Sequence, residues 1–384
     1  MKNNTETFLS LFILVAVVLS VVNVVVIAGR FGKVGEAQAL AKEIMRPADI
    51  QVIRVVHPSC TTCYDSTLLL DSLKALNVNV TEDSTVFFDS PEGQSLIDTY
   101  GLTSLPALVV SGEVNKSEQL SSFFTKNGYL SADLKHGLYS NTPAPFYDLE
   151  KQKTVGAVSI NFITDSACKE CRPLDTMGQA LQQAGVGITA VNSYTYSSPE
   201  GKELIQKHGI GRVPAVVISQ DIEAYPQVVQ QLLQSGVTLK NGAYVMLTPG
   251  APYHDIKTDA VVGRVTLVML KDETCTTCYD VAINRQILER FGMSVTAQET
   301  YDIKTTSAKA LIEKYKVTKV PTIIVSPDAQ HYPSFVGVWK SVGTVESDGW
   351  YIMRKPDVLG TYTDLSTGKI ISPQEKTQPT APAE

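Results

Sequence analysis

The sequence predicts an α/β chain built from three tandem units behind one N-terminal transmembrane helix, and three observations carry this expectation. Three Cys-x-x-Cys pairs recur at offsets of 108 and 107 residues, and they account for all six cysteines of the 384-residue chain. Each pair is followed by an apolar residue and a proline, the proline always 46 positions after the first cysteine. The first 30 residues differ in composition from the rest, with an uncharged stretch rich in Val, Leu and Ile from Phe8 to Ala28.

That stretch comes first along the chain. Its 21 residues span about 30 Å as a helix, which matches the hydrocarbon core of a bilayer. It is longer than a typical signal-peptide core, and the small-x-small triplet Ala37-Gln38-Ala39 lies too far downstream to serve as its cleavage site. A core helix would show a polar face, and this segment has none. Residues 1–30 therefore read as an uncleaved anchor, crossing the membrane with residues 8–28. Lys2 precedes the span, while Arg30, Lys33, Lys42 and Arg46 follow it. A plain positive-inside count points inward, but long domains translocate largely regardless of such charge. The soluble units are expected on the extracytoplasmic face, where an anchored thiol protein has most to do. Residues 31–47 form a juxtamembrane segment, with a short amphipathic helix expected from Glu36 to Met45.

The three units, 48–153, 154–260 and 261–371, read in step. Each opens with a β-rich run: Gln51–His57, Ala157–Thr164 and Arg264–Leu270. The cysteine pair follows at once, and then a stretch of helical period: Ser66–Leu76, Asp175–Ala184 and Val281–Phe291. A second strand is expected at Thr85–Phe88 in the first unit. Ser90-Pro91-Glu92-Gly93 and Ser198-Pro199-Glu200-Gly201 then mark helix starts, with proline in the first turn, where its missing N–H costs nothing. Thr305-Thr306-Ser307 holds the same place in the third unit, with hydroxyls available for capping. After the apolar-Pro step come short apolar strands at Ala107–Val110, Ala215–Ile218 and Thr322–Val325. Asn127-Gly128, Asn241-Gly242 and Asp348-Gly349 are turn signals. A recurring segment closes each unit near Tyr147-Asp148, Tyr253-His254-Asp255 or Tyr362-Thr363-Asp364. Residues 372–384, rich in Pro, Thr and Gln, read as a disordered tail.

Composition narrows the function. With 43% hydrophobic and 19% charged residues the chain is that of a folded protein. A net charge of −6 gives nucleic-acid binding no electrostatic support. No phosphate-loop, dinucleotide or Ser/His/Asp pattern is present, and the five histidines share no spacing. His57 stands three residues before Cys60, but Asp165 and Asp272 hold that place in the other units, so it reads as a local surface residue.

The order strand, Cys-x-x-Cys at a helix start, helix, strand, helix, apolar-Pro, strand, strand, helix resembles the thioredoxin superfamily, three times over residues 48–345. The resemblance implies a central mixed sheet of four or five strands flanked by helices. It also implies that Pro106, Pro214 and Pro321 are cis and lie beside the cysteines. There are departures. None of the dipeptides is Gly-Pro, and the family's frequent buried acid, six residues before the first cysteine, is replaced by Arg54, Phe162 and Met269.

Disulfide exchange needs a thiolate, a resolving thiol beside it and access for the incoming sulfur. A first cysteine at a helix N-terminus would gain unpaired N–H groups and the positive end of the dipole. Cys60, Cys168 and Cys275 are thus the expected nucleophiles, and Cys63, Cys171 and Cys278 the resolving thiols. The backbone of Leu105, Val213 and Val320, each followed by its proline (Pro106, Pro214, Pro321), is expected to pair with an extended client segment. Thr61-Thr62 and Thr276-Thr277 make two similar sites, and Lys169-Glu170 a different one. The resulting expectation is a membrane-anchored thiol–disulfide oxidoreductase acting on protein thiols and disulfides. A redox partner would reset the pairs, and no metal or cofactor beyond the cysteines would be required. Structural disulfides on a redox-silent binding scaffold remain the competing reading. So does metal binding, although one pair supplies only two of the four ligands of a closed zinc site.

Overall fold

The computed structural model describes residues 38–372; the expected span over residues 8–28 and most of the expected tail lie outside them. Among the described residues no helix is long and apolar enough to cross a membrane. Residues 38–45 are helical (α1), with Leu40, Ile44 and Met45 exposed.

The first repeat runs β1 (Ala48–Val56), α2 (Ser66–Lys74), β2 (Val78–Phe87), α3 (Pro91–Tyr100), β3 (Ser104–Leu105) and β4 (Ala107–Gly112). It continues through α4 (Glu118–Asn127), β5 (Gly128–Leu130), β6 (His136–Tyr139), β7 (Phe146–Asp148) and β8 (Lys153–Val155). The second repeat has β9 (Val158–Thr164), α5 (Thr176–Gln183), β10 (Ile188–Thr195), α6 (Pro199–His208), β11 (Arg212–Val213) and β12 (Ala215–Ser219). There follow α7 (Pro226–Gln234), β13 (Thr238–Lys240), β14 (Ala243–Leu247), β15 (Tyr253–Asp255) and β16 (Ala260–Val262). The third has β17 (Arg264–Lys271), α8 (Ile283–Arg290), β18 (Ser294–Asp302), α9 (Thr306–Tyr315), β19 (Lys319–Val320) and β20 (Thr322–Val325). It ends with α10 (Pro333–Val342), β21 (Gly343–Val345), β22 (Tyr351–Met353), β23 (Tyr362–Asp364) and β24 (Lys369–Ile371).

Each repeat builds one five-stranded mixed sheet, in the order β2-β1-β4-β6-β5, β10-β9-β12-β14-β13 and β18-β17-β20-β22-β21. In the first, β1 and β2 are parallel, while β4 is antiparallel to β1 and to β6. This is the mixed sheet that the resemblance implied. The central strands are covered on both faces, which is why β4 reads as a continuous apolar run. Leu69, Leu70 and Leu73 of α2 pack with Leu120 and Phe124 of α4 on Ile50, Val52, Leu108 and Val110. Leu96 and Ile97 of α3 pack on the opposite face, against Val55, Val109 and Leu138.

The element order differs from expectation after the apolar-Pro strand, because a helix precedes the last two strands instead of following them. Ser117 caps α4 by accepting the Leu120 N–H, with Glu118 in the first turn. Asn127-Gly128 accordingly ends a helix. Asn241-Gly242 does form a turn, with φ of 46° and 75° between β13 and β14. The chain divides into two compact units at Ala157/Val158, with the second and third repeats together in the latter.

Candidate functional site

All six cysteines are joined within their pairs, with Cα–Cα separations of 5.4, 5.4 and 5.5 Å. Each pair occupies a tight turn between the first strand and first helix of its repeat. Cys63 N–H reaches Cys60 O at 3.3 Å, and the N–H groups of Cys168 and Cys275 reach Asp165 O and Asp272 O, both at 3.1 Å. The helices start after the pairs, at Ser66, Thr176 and Ile283, within two residues of the expected stretches. Asp65 caps α2 by accepting the Thr67 N–H at 2.8 Å, Asp280 accepts from Ala282 N–H at 2.9 Å, and Pro173 intervenes in the second repeat. The expectation that each first cysteine opens a helix is therefore corrected. Because dipole stabilisation fades within the first turn, the helix end loses most of its claim on these thiols.

The prolines are cis, as the resemblance implied: Leu105-Pro106, Val213-Pro214 and Val320-Pro321. Each stands beside a second, three-stranded sheet formed by a hairpin of the same repeat, in the order β3-β7-β8, β11-β15-β16 and β19-β23-β24. Leu105 pairs with Tyr147, Val213 with His254 and Val320 with Thr363, all antiparallel. Two residues along each ladder, Leu149 N–H donates to Thr103 O, Ile256 N–H to Gly211 O and Leu365 N–H to Thr318 O. Hydrogen-bonded pairs alternate in an antiparallel ladder. The N–H and C=O of Leu105, Val213 and Val320 are thus turned to their own hairpins. All three residues are 0% exposed, and Pro106, Pro214 and Pro321 are buried.

The first and third hairpins also reach the sulfurs. Cys60 Sγ lies 3.4 Å from Thr154 Oγ1, and Cys278 Sγ lies 3.6 Å from Thr363 Oγ1. The backbone just after the pair is held by the segment entering or opening the hairpin: Tyr64 N–H donates to Pro145 O at 2.6 Å and Tyr279 N–H to Thr361 O at 3.1 Å. Tyr279 also donates its hydroxyl to Pro321 O at 3.0 Å, and burial pushes its pKa up to about 12.

The position three residues before the first cysteine meets the middle of the hairpin in every repeat, by three different chemistries. His57 stacks on Phe88 at 4.3 Å and against Tyr147 at 4.1 Å. Asp165 and His254, both buried, meet at 3.0 Å, and the other ring nitrogen faces Asp259 at 3.2 Å. Asp272 accepts the Thr363 hydroxyl at 3.0 Å and the Thr274 hydroxyl at 2.5 Å. Burial works against its charge, but these donors and Thr274 N–H win, and the pKa falls below the ordinary aspartate value. His57 is therefore part of the hairpin seat and not an isolated surface residue. The signal in the sequence was the recurring Tyr147, His254 and Thr363 segment, whose partner the sequence did not reveal. Of the positions that replaced the family's acid, Arg54 pairs with Asp83 at 2.9 Å, while Phe162 and Met269 lie in apolar cores.

The sites differ in access. Cys60 and Cys63 are half-buried, whereas Cys168 and Cys171 are 6% and 8% exposed, and Cys275 is 8% exposed beside a half-buried Cys278. Glu170, inside the second pair, binds Arg264 at 3.0 Å, and that guanidinium also donates to Ala167 O at 3.1 Å. Among the described residues no group of three or more His, Cys, Asp and Glu is placed to hold a metal ion.

No family model matches the chain, and no curated protein does. Among solved structures, a crystal structure of ERdj5 aligns at 14% identity over 75% of this chain and 39% of that one, with a TM-score of 0.15. Human ERp44 aligns at 10% identity over 78% and 84%, with a TM-score of 0.14. A protein disulfide oxidoreductase from Aeropyrum pernix aligns at 15% identity over 45% and 77%, with a TM-score of 0.13. The chain thus spans about two fifths of the ERdj5 chain. At such TM-scores these likenesses carry no weight, and the reading of the fold rests on strand order and site geometry.

Proposed function

We propose that this chain, whose repeats are thioredoxin-like in strand order and in the pairing of a cis-proline with a Cys-x-x-Cys turn, is a membrane-anchored thiol–disulfide oxidoreductase with protein clients. The observation that carries the reading is the threefold recurrence of one frame, in which a closed dithiol turn and a cis-proline step share a hairpin. A bridge across two intervening residues closes a very short loop and adds little stability, so staples alone do not account for three of them.

In the reduced form Cys60, Cys168 or Cys275, as thiolate, attacks a client disulfide and releases one client thiolate. The resolving thiol, Cys63, Cys171 or Cys278, then attacks the mixed disulfide and frees the second client sulfur. Two electrons and two protons pass to the client, the pair closes, and a redox partner reopens it; the reverse sequence oxidises a client dithiol. Leu105, Val213 and Val320, with Pro106, Pro214 and Pro321, remain the proposed contact for a client's backbone once the hairpin is displaced. The anchor over residues 8–28 and an extracytoplasmic location belong to the same proposal, supported by the apolar stretch in the sequence.

A glutathione redox titration of the full chain, read pair by pair through alkylation and peptide mass, tests it. Reversible midpoints above about −200 mV identify a disulfide donor or isomerase, and values near −270 mV a reductase. Pairs that never exchange, or stay closed below about −300 mV, overturn the reading in favour of a redox-silent scaffold.

A further inference from the structure

The edge expected to receive a client strand is already filled. In every repeat the residue before the cis-proline is 0% exposed and paired to the chain's own hairpin. The hairpins are not incidental loops. Asp148, Asp255 and Asp364 each accept two backbone N–H groups of the turn that follows, from Glu150 and Lys151, Lys257 and Thr258, and Ser366 and Thr367. A side chain fixing its own turn in this way builds that turn into the sequence. The hairpin's inner strand is seated on the residue three before the first cysteine, and Thr154 of the outer strand touches Cys60 in the first repeat while Thr363 of the inner strand touches Cys278 in the third.

We propose that the hairpins are self-supplied strands occupying the place of an extended client segment, which makes the reduced, hairpin-covered sites faster with low-molecular-weight disulfides than with polypeptide clients. A small disulfide brings its sulfur without needing the backbone edge, whereas a polypeptide client must first displace the hairpin. The electron balance is the ordinary one: the dithiol and RS–SR become the closed pair and two RSH. This deepens the oxidoreductase reading and rests on it. It also ranks the sites, since the first hairpin is held by half-buried rings and the second by the buried Asp165–His254 contact.

The test uses the reduced full chain, offered either oxidised glutathione or an unfolded polypeptide carrying disulfides, with closure of each pair followed by alkylation and peptide mass. In the unmodified chain the small disulfide is expected to close every pair at least tenfold faster per disulfide. Tyr147→Pro removes the N–H that faces Leu105. It is expected to raise the polypeptide rate at Cys60–Cys63 alone by tenfold or more, with the glutathione rate within about threefold. Hydrogen exchange at the Leu105, Val213 and Val320 amides of the unmodified chain provides a measurement free of any folding defect in the variant, and slow exchange is expected. Equal rates for the two oxidants, or fast exchange at those amides, would overturn the specificity while leaving the oxidoreductase reading intact. No closure with either oxidant overturns both.

Discussion

Thr363 donates its hydroxyl to buried Asp272 and places the same oxygen 3.6 Å from Cys278 Sγ. Replacing it with valine preserves the shape but removes a charge-assisted donor from a buried carboxylate. The expected loss is about 1–3 kcal/mol, read as a lower midpoint in urea unfolding. At this scale the cysteines and cis-prolines were legible because few residue types perform their chemistry. The seats under the hairpins were not, since His57, Asp165 and Asp272 meet Tyr147, His254 and Thr363 by ring packing, by a carboxylate–imidazole contact and by a hydroxyl bond. Three solutions to one contact leave no common residue for a sequence pattern to display.

Among the elements, the helices with a clear apolar stripe and a Ser or Thr cap were legible, as at Ser90, Ser198 and Thr305. The edge strands were read short. β2 extends from Val78 to Phe87, but Thr81, Glu82 and Asp83 face solvent, as befits an edge, and interrupt the apolar pattern. The first helix of each repeat begins within two residues of its periodic stretch, and Asp65 caps the first of them beyond the cysteines. The hairpins carry a pH dependence that can be checked. Bonds from Lys151 hold the Asp148 carboxyl below the ordinary range. The Thr258 backbone N–H does so for Asp255, and the Ser366 hydroxyl for Asp364. A folded pKa below the unfolded value of about 3.9 means stability that is fully present above that value and is lost as pH falls through the depressed one. Hairpin amide protection is accordingly expected to hold from neutrality to pH 4 and to collapse only in stronger acid, as measured by hydrogen exchange. Loss of protection at neutral or mildly acidic pH would show that these carboxylates do not hold the hairpins.

For the whole molecule, three copies of one frame present three degrees of access. Half-buried Cys60 and Cys63 are expected to be reduced first by a small thiol, the Cys275–Cys278 pair next and the buried Cys168–Cys171 pair last. Quenched reduction with peptide mass readout gives the order directly, and simultaneous reduction would show that burial does not control it. The tandem organisation was plain from the 108- and 107-residue offsets. What the offsets could not show is that Arg264, the first residue of β17, grips the loop carrying the second pair through Glu170 and Ala167 O. That grip makes two equilibria one. Whatever preference Arg264 has for the closed over the open loop, the closed loop returns by the same factor in seating the third repeat, because coupling free energy is reciprocal. The midpoint potential of Cys168–Cys171 is then partly a reading of its neighbour's position. Arg264→Ala is expected to move the second midpoint and leave Cys60–Cys63 where it was, as read by the same pairwise redox titration, so that one repeat sets the voltage at which its neighbour works.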